Sequence, residues 1–264
     1  MSNELHAEGT SLGRRKADIA SSLDREIRRA WRCYVAPYLF VYDTAVYRIW
    51  NPYVWRCPTE TVVEHFRRHV RRVHLEAGCG TGYLPSRCGI PDGRDRNGAP
   101  LPPQLTLMDM NPGSLKWASR RLQPYRPKII RHSLFSPLPA VDPPFESVCL
   151  NYVLHCLPGD FEAKRVVIAN LKAAMAADGV LFGSTILGLG VFHNRFARLT
   201  LYCLNRTLGS FHNTQDTADG LQRALSGQFA HVCCQIVGSV ALFAASDSEL
   251  PPAHRPTASR ACKS

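Results

Sequence analysis

From Ala17 onward apolar residues return every three or four positions, at Ile19, Leu23, Ile27, Trp31, Tyr34 and Tyr38, with Arg25, Arg28, Arg29 and Arg32 between them. That spacing predicts an amphipathic helix. An aromatic stretch follows, Tyr42, Tyr47, Trp50, Tyr53 and Trp55, interrupted by a turn at Asn51-Pro52. Val62, Val63, Phe66 and Val70 predict a second helix over residues 59–72, its inner face apolar. Residues 1–16 have no apolar period and read as a disordered tail.

Beyond Val73 the period changes. Short apolar runs of strand length begin at Val73 and cover 105–108, 129–132, 147–153 and 180–185, and helical patterns cover 112–122 and 160–176. Asn111 and Pro112 suit the cap and first turn of the helix they open. A further helix is expected over 215–225, then two strands, 230–237 and 239–244, hinged at Gly238 and therefore antiparallel. Alternating strands and helices predict an α/β fold: a doubly wound, mostly parallel, Rossmann-like seven-stranded sheet with an antiparallel edge. The domain reading is a tail at 1–16, a helical and aromatic cap at 17–72, a core at 73–245 and a disordered tail at 246–264. Residues 88–104 hold three glycines and four prolines, which predicts a shortened helix and a flexible surface loop.

Composition narrows the class. The 264 residues, 45% of them hydrophobic, suffice for one sizeable core. A net charge of +11 would draw anionic partners if it were clustered, yet the arginines are scattered through helical segments. No basic ribbon interleaved with aromatics is present, so no nucleic-acid partner is expected. The longest apolar run, 180–192, contains three glycines and is too short to span a bilayer, so no membrane partner is expected either. The ten cysteines include no Cys-x-x-Cys pair and no zinc spacing, so no metal is expected. With no signal sequence at the N-terminus, they read as free thiols of a cytoplasmic protein, monomer or homodimer.

The chemistry concentrates at Glu76-Ala-Gly78-Cys-Gly80-Thr-Gly82, a glycine turn straight after a predicted strand, and at Asp109, which ends the next one. Glycines let a ligand approach bare backbone, and a carboxylate one strand later suits ribose hydroxyls. A dinucleotide pyrophosphate would be repelled by Glu76, whereas a ligand carrying an ammonium and a sulfonium would not. The turn with Asp109 resembles the first motif and ribose acid of class I S-adenosylmethionine-dependent methyltransferases, over roughly residues 40–245. The resemblance implies S-adenosylmethionine as cofactor, held by Glu76, Gly78, Gly80, Gly82, Asp109, Met110, Ser133, Leu134 and Asn151. Many members carry Asp on the adenine edge where this chain has Ser133, which leaves that contact to the Leu134 backbone.

Residues 145–158 are similar to the fourth motif of these enzymes, where a strand end faces the methyl group. Displacement at a sulfonium methyl needs an aligned nucleophile, excluded water and often a base. His155 is the first candidate base, with a capping or packing role as its structural alternative. His193, beside Asn194, is the second. In this family the region before the first motif often forms a lid, so Tyr38, Tyr42 and Tyr47, with Asp43, and Tyr152 across the pocket, are expected to meet the acceptor. The aromatic density points to a small apolar or aromatic secondary metabolite methylated on oxygen or nitrogen. The alternative is a relative that binds S-adenosylmethionine without transferring its methyl, as a pericyclase or dehydratase-like enzyme.

Overall fold

The computed structural model describes residues 43–251. The expected helix through Tyr38, the tail 1–16, Tyr42 and residues 252–264 lie outside them. Seven strands form one sheet in the order β5-β4-β1-β6-β7-β9-β8. They are β1 (Val73–Ala77), β4 (Gln104–Asp109), β5 (Lys128–Arg131), β6 (Phe145–Asn151), β7 (Met175–Ile186), β8 (His231–Val237) and β9 (Val240–Ser246). The first five are parallel, and β9 runs antiparallel to both β7 and β8. All five residues of β1 are buried, as a central strand covered on both faces must be. Successive residues of each strand feed two cores. Leu75, Met108, Val148, Leu181 and Phe243 face one; Leu107, Cys149, Phe182 and Leu242 face the other.

Helices cover both faces. Helix α1 (Thr59–His69) brings Val62, Val63 and Phe66 onto the second core, and the ring of His65 is hydrogen-bonded to the Phe243 carbonyl at 2.9 Å. This helix, read from the sequence as part of the cap, packs on the sheet. Short helix α2 (Tyr83–Cys88) follows the glycine turn, and α3 (Pro112–Arg121) follows β4, with the Asn111 side chain accepting the Gly113 N–H. Helix α4 (Phe161–Lys172), capped by Asp160, ends before the expected boundary. The chain enters β7 early, at Met175 opposite Phe145, through an irregular register ahead of the Ser147–Val180 pair. Helix α5 (Arg195–Tyr202) had no counterpart among the expected elements, and α6 (Ala218–Ser226) is capped by Thr217.

Two segments read as irregular carry regular structure where they are described. Residues 93–101 form a small hairpin, β2 (Gly93–Arg94) with β3 (Pro100–Leu101), whose turn is closed by Asp95 accepting from Asn97 N and Ala99 N, both at 2.8 Å. The sheet also extends past residue 245. Ser246 is buried at the end of β9, and Asp247 pairs with Lys172 at 2.7 Å.

The segment between β7 and α6 forms a roof held from beneath by a charge pair. Lys164, fully buried on α4, donates to both Asp216 oxygens, at 2.9 and 2.7 Å, and to the His212 carbonyl at 3.2 Å. Gly188 N and Leu189 N both donate to the Asp216 carbonyl at 3.0 Å. Burial pulls the Lys164 pKa down and pushes that of Asp216 up to about 6; mutual attraction offsets only part of this. Removing one partner leaves a buried charge alone, which costs more than removing both. Asp216→Ala is expected to lower stability in urea unfolding by about 3–5 kcal/mol, and Lys164→Met with Asp216→Leu to recover most of that loss.

Candidate active site

The site forms where β1 ends. Gly78 N and Cys79 N donate to the Met108 carbonyl at 2.7 and 3.2 Å, stitching the turn to β4. Gly80 has φ +50°, and a Cβ there would meet no protein atom within 4 Å, because the position opens onto a cavity of about 180 Å³ that it lines. That space is a backbone cradle for a ligand. Gly78 also lines the cavity; a Cβ on it would lie 2.5 Å from Val153. Gly82 is not a lining residue: it caps α2 and abuts Leu122 and Ala118.

Two carboxylates line the same cavity. Asp109 Oδ1 accepts from Asn111 N at 2.8 Å and Oδ2 from Gly80 N at 3.4 Å, yet burial still raises its pKa to about 6. Glu76 is also raised by burial, and a bond from His74 offsets part of that. His74 Nε2 lies 3.2 Å from Glu76 Oε1, and its Nδ1 lies 2.8 Å from Ser147 Oγ. A ring protonated at Nε2 donates to the carboxylate and accepts from the serine. His74 was missed in the sequence, although strand alternation places it two residues before Glu76 on the same face. Met110, Leu134 and Asn151 line the cavity as well. Asn151 Oδ1 accepts from Ser184 Oγ at 2.6 Å. Ser133 does not line it; its hydroxyl accepts from Phe135 N at 3.4 Å and braces the turn.

Aromatic residues close the other side. Tyr47 lies in a wide, π-type helix (Thr44–Val54) and stacks on Tyr83 with centroids 3.8 Å apart. Tyr152 lines the cavity from the end of β6, in the left-handed region at φ +57°. A non-glycine residue held there marks a position over-determined by its surroundings. Asp43 does not reach the cavity. It pairs with Arg121 at 2.7 Å and accepts from Thr81 Oγ1 at 2.5 Å, latching the helix that follows it to the glycine turn. Tyr38 and Tyr42 lie outside the described residues.

Neither candidate base lies on the cavity wall. His155 Nδ1 accepts from Ile186 N at 3.3 Å, its ring meets Phe211 at 4.4 Å, and burial lowers its pKa to about 3. It packs under the roof, the structural alternative weighed for it. His193 lies 3.3 Å from the Gly188 carbonyl, and burial lowers its pKa. Its neighbour Asn194 caps α5 and donates to the Tyr53 carbonyl at 2.9 Å. Among the described residues the one histidine lining the cavity is His132, whose Nε2 is 2.9 Å from the Pro137 carbonyl.

No family model matches the chain. It is 41% identical over 216 residues to methyltransferase verB of Penicillium polonicum, across 79% of this chain and 94% of that protein. It is 31% identical over 207 residues to demethylluteothin O-methyltransferase of Streptomyces thioluteus (78% and 86%), and 34% identical over 199 residues to N-methyltransferase vrtF of Penicillium aethiopicum (74% and 79%). An O-methyltransferase family protein from Burkholderia thailandensis shares the fold at TM-score 0.54 and 17% identity, over 80% of this chain and 59% of that one. The chain belongs to the class I S-adenosylmethionine-dependent methyltransferases. It is an enzyme of that class, and its cofactor is S-adenosylmethionine.

The raised pKa of Asp109 gives a pH test. Above about pH 6 its carboxylate is ionised and has its full capacity to accept hydrogen bonds; below, it takes up a proton and loses part of that capacity. Calorimetric affinity for S-adenosylhomocysteine should therefore fall as pH drops through about 6. Asp109→Asn should bind at least about tenfold more weakly, consistent with losing a charge-assisted hydrogen bond, and should not show this fall. Identical pH profiles for the two proteins would remove Asp109 from the ligand site.

Proposed function

We propose that the enzyme methylates an oxygen or nitrogen of a small apolar or aromatic secondary metabolite seated against Tyr47 and Tyr152. The observation that carries this reading is one cavity lined by backbone and carboxylates at the glycine turn, by Tyr47 of the cap and by Tyr152 just after β6. Aromatic rings give an apolar acceptor large contact area, and their hydroxyls give it orientation. Relatives whose names specify O- and N-transfer support leaving both acceptor atoms open.

S-Adenosylmethionine supplies an electrophilic methyl group when bound. In this reading Glu76 and Asp109 hold its cationic and ribose parts, Gly78 and Gly80 leave room for it, and Met110 and Leu134 flank its adenine. Asn151, braced by Ser184, stands at the strand end between the two ligands. Since His155 and His193 lie off the cavity, we assign rate enhancement to alignment and exclusion of water rather than to an imidazole base. The donor-binding, non-transferring alternative is not favoured beside relatives named as methyltransferases. No described helix is long and apolar enough to cross a membrane, and eight described cysteines are free. Both agree with a cytoplasmic enzyme.

Incubation with S-adenosylmethionine and a panel of phenols, aromatic acids and aromatic amines is expected to yield a product heavier by one methylene, with donor consumed in equal amount. A product formed while the donor stays intact would establish the non-transferring reading. Tyr47→Ala is expected to raise the acceptor KM by about tenfold, the scale of one aromatic contact, while donor affinity stays within about twofold. An equal loss for the donor would place Tyr47 on the donor side.

A further inference from the structure

Among the described residues, nothing covers the apolar face of helix α5 and the residues that lead into it. Phe192, Phe196, Leu199 and Tyr202 recur at steps of four, three and three, and are 69%, 73%, 62% and 64% exposed. Tyr53, 72% exposed, joins this face from the cap: its carbonyl accepts from Asn194, and the Arg56 guanidinium lies 5.3 Å from the centre of the Phe192 ring. Large apolar side chains that stand out together on a surface mark an interaction site.

Charge selects the occupant. Residues 179–215 and 44–59 contain no Asp or Glu. The same stretches carry Arg48, Arg56, Arg195, Arg198 and Arg206, all exposed. A second copy of the chain would bring arginines against arginines across any two-fold contact, on a protein already at +11. These side chains are more than half exposed rather than sunk in a groove, the geometry of residues that insert into a surface instead of receiving a partner's anchors. Aromatic and leucine side chains among arginines, with no acidic residue, match an interface that is anionic outside and apolar within.

We propose that α5 and the adjoining end of the cap form a docking surface for an anionic lipid bilayer, held by phosphate–arginine attraction and insertion of Phe192, Phe196 and Leu199. Eight residues are too few to cross a membrane, so the mode is peripheral. It adds a membrane-surface contact to an enzyme in which no described helix is long and apolar enough to cross a membrane. The Tyr53 and Val54 carbonyls bonded to Asn194 belong to the helix that carries Tyr47, so the docking face and the acceptor side of the cavity share one element. An enzyme for apolar acceptors would thereby work beside the phase into which they partition.

The test is flotation of the full chain with vesicles of phosphatidylcholine alone, or of phosphatidylcholine mixed with phosphatidylglycerol, at low and high salt. Binding is expected only with the anionic vesicles and is expected to weaken with salt. Phe196→Ser with Leu199→Ser, and separately Arg195→Gln with Arg198→Gln, should each reduce bound protein by at least about tenfold, since apolar insertion and charge are both required. Unchanged calorimetric binding of S-adenosylhomocysteine by both variants shows that they fold. Absence of vesicle binding, equal binding to neutral vesicles, or variants that bind like the parent would overturn the proposal. If sedimentation showed a dimer that the Ser variant dissolves, with no lipid binding, the face would belong to a second copy. Binding to polyglutamate as strong as to vesicles and insensitive to the Ser variant would assign it to an acidic protein.

Discussion

The three glycines of the turn bring no side chains with which to hold its shape, so the site depends on what holds the turn from outside. Three neighbours do so. The Met108 carbonyl takes two of its N–H groups, Asp109 takes a third, and Arg121 donates to the Thr81 carbonyl at 3.0 Å. The ribose acid is thus also a structural clamp. The cap is fastened to the same turn through Asp43, which holds Thr81 and Arg121 together. Donor cradle, ribose acid and cap have one mechanical origin.

The electrostatics run against the net charge. The chain carries +11, yet the pocket places two carboxylates, buried Glu76 and half-buried Asp109, around the space opened by the glycines. Burying carboxylates is unfavourable, as their raised pKa values record. A cationic ligand relieves that penalty and a pyrophosphate would add to it. The distribution of charge between pocket and surface therefore discriminates ligands more sharply than the total does.

Much of this was legible in the sequence because it rests on short-range rules. Strand-length apolar runs and the Asn111–Pro112 helix start marked most of the fold, and Glu76 with Asp109 marked one wall of the cavity. What escaped depends on distant pairing. The end of α4 was placed too late because pairing between Phe145 and Met175 overrides local helical preference. Helix α5 was missed because its apolar face is exposed, and an apolar period is commonly assigned to the core. His155 looked catalytic by position, but a ring placed just beyond a strand end turns according to its neighbours, here Ile186 N and Phe211.

The cap is tied down at two points far apart in the chain. Its first described residue, Asp43, is bound to the glycine turn, and farther on the Trp55 carbonyl receives Ser239 N at 2.8 Å, from the tight turn between β8 and β9. Gly238 in that turn lies so near Trp55 that a Cβ would come within 2.2 Å of its carbonyl oxygen. The wall facing the acceptor is therefore a strap stretched between the first motif and the last hairpin. In the proposed reading its slack, and with it the range of acceptor shapes the pocket tolerates, is set in part by Gly238 and Ser239, which do not line the cavity. Drift in that hairpin offers such an enzyme a route to new acceptors that leaves the donor site untouched.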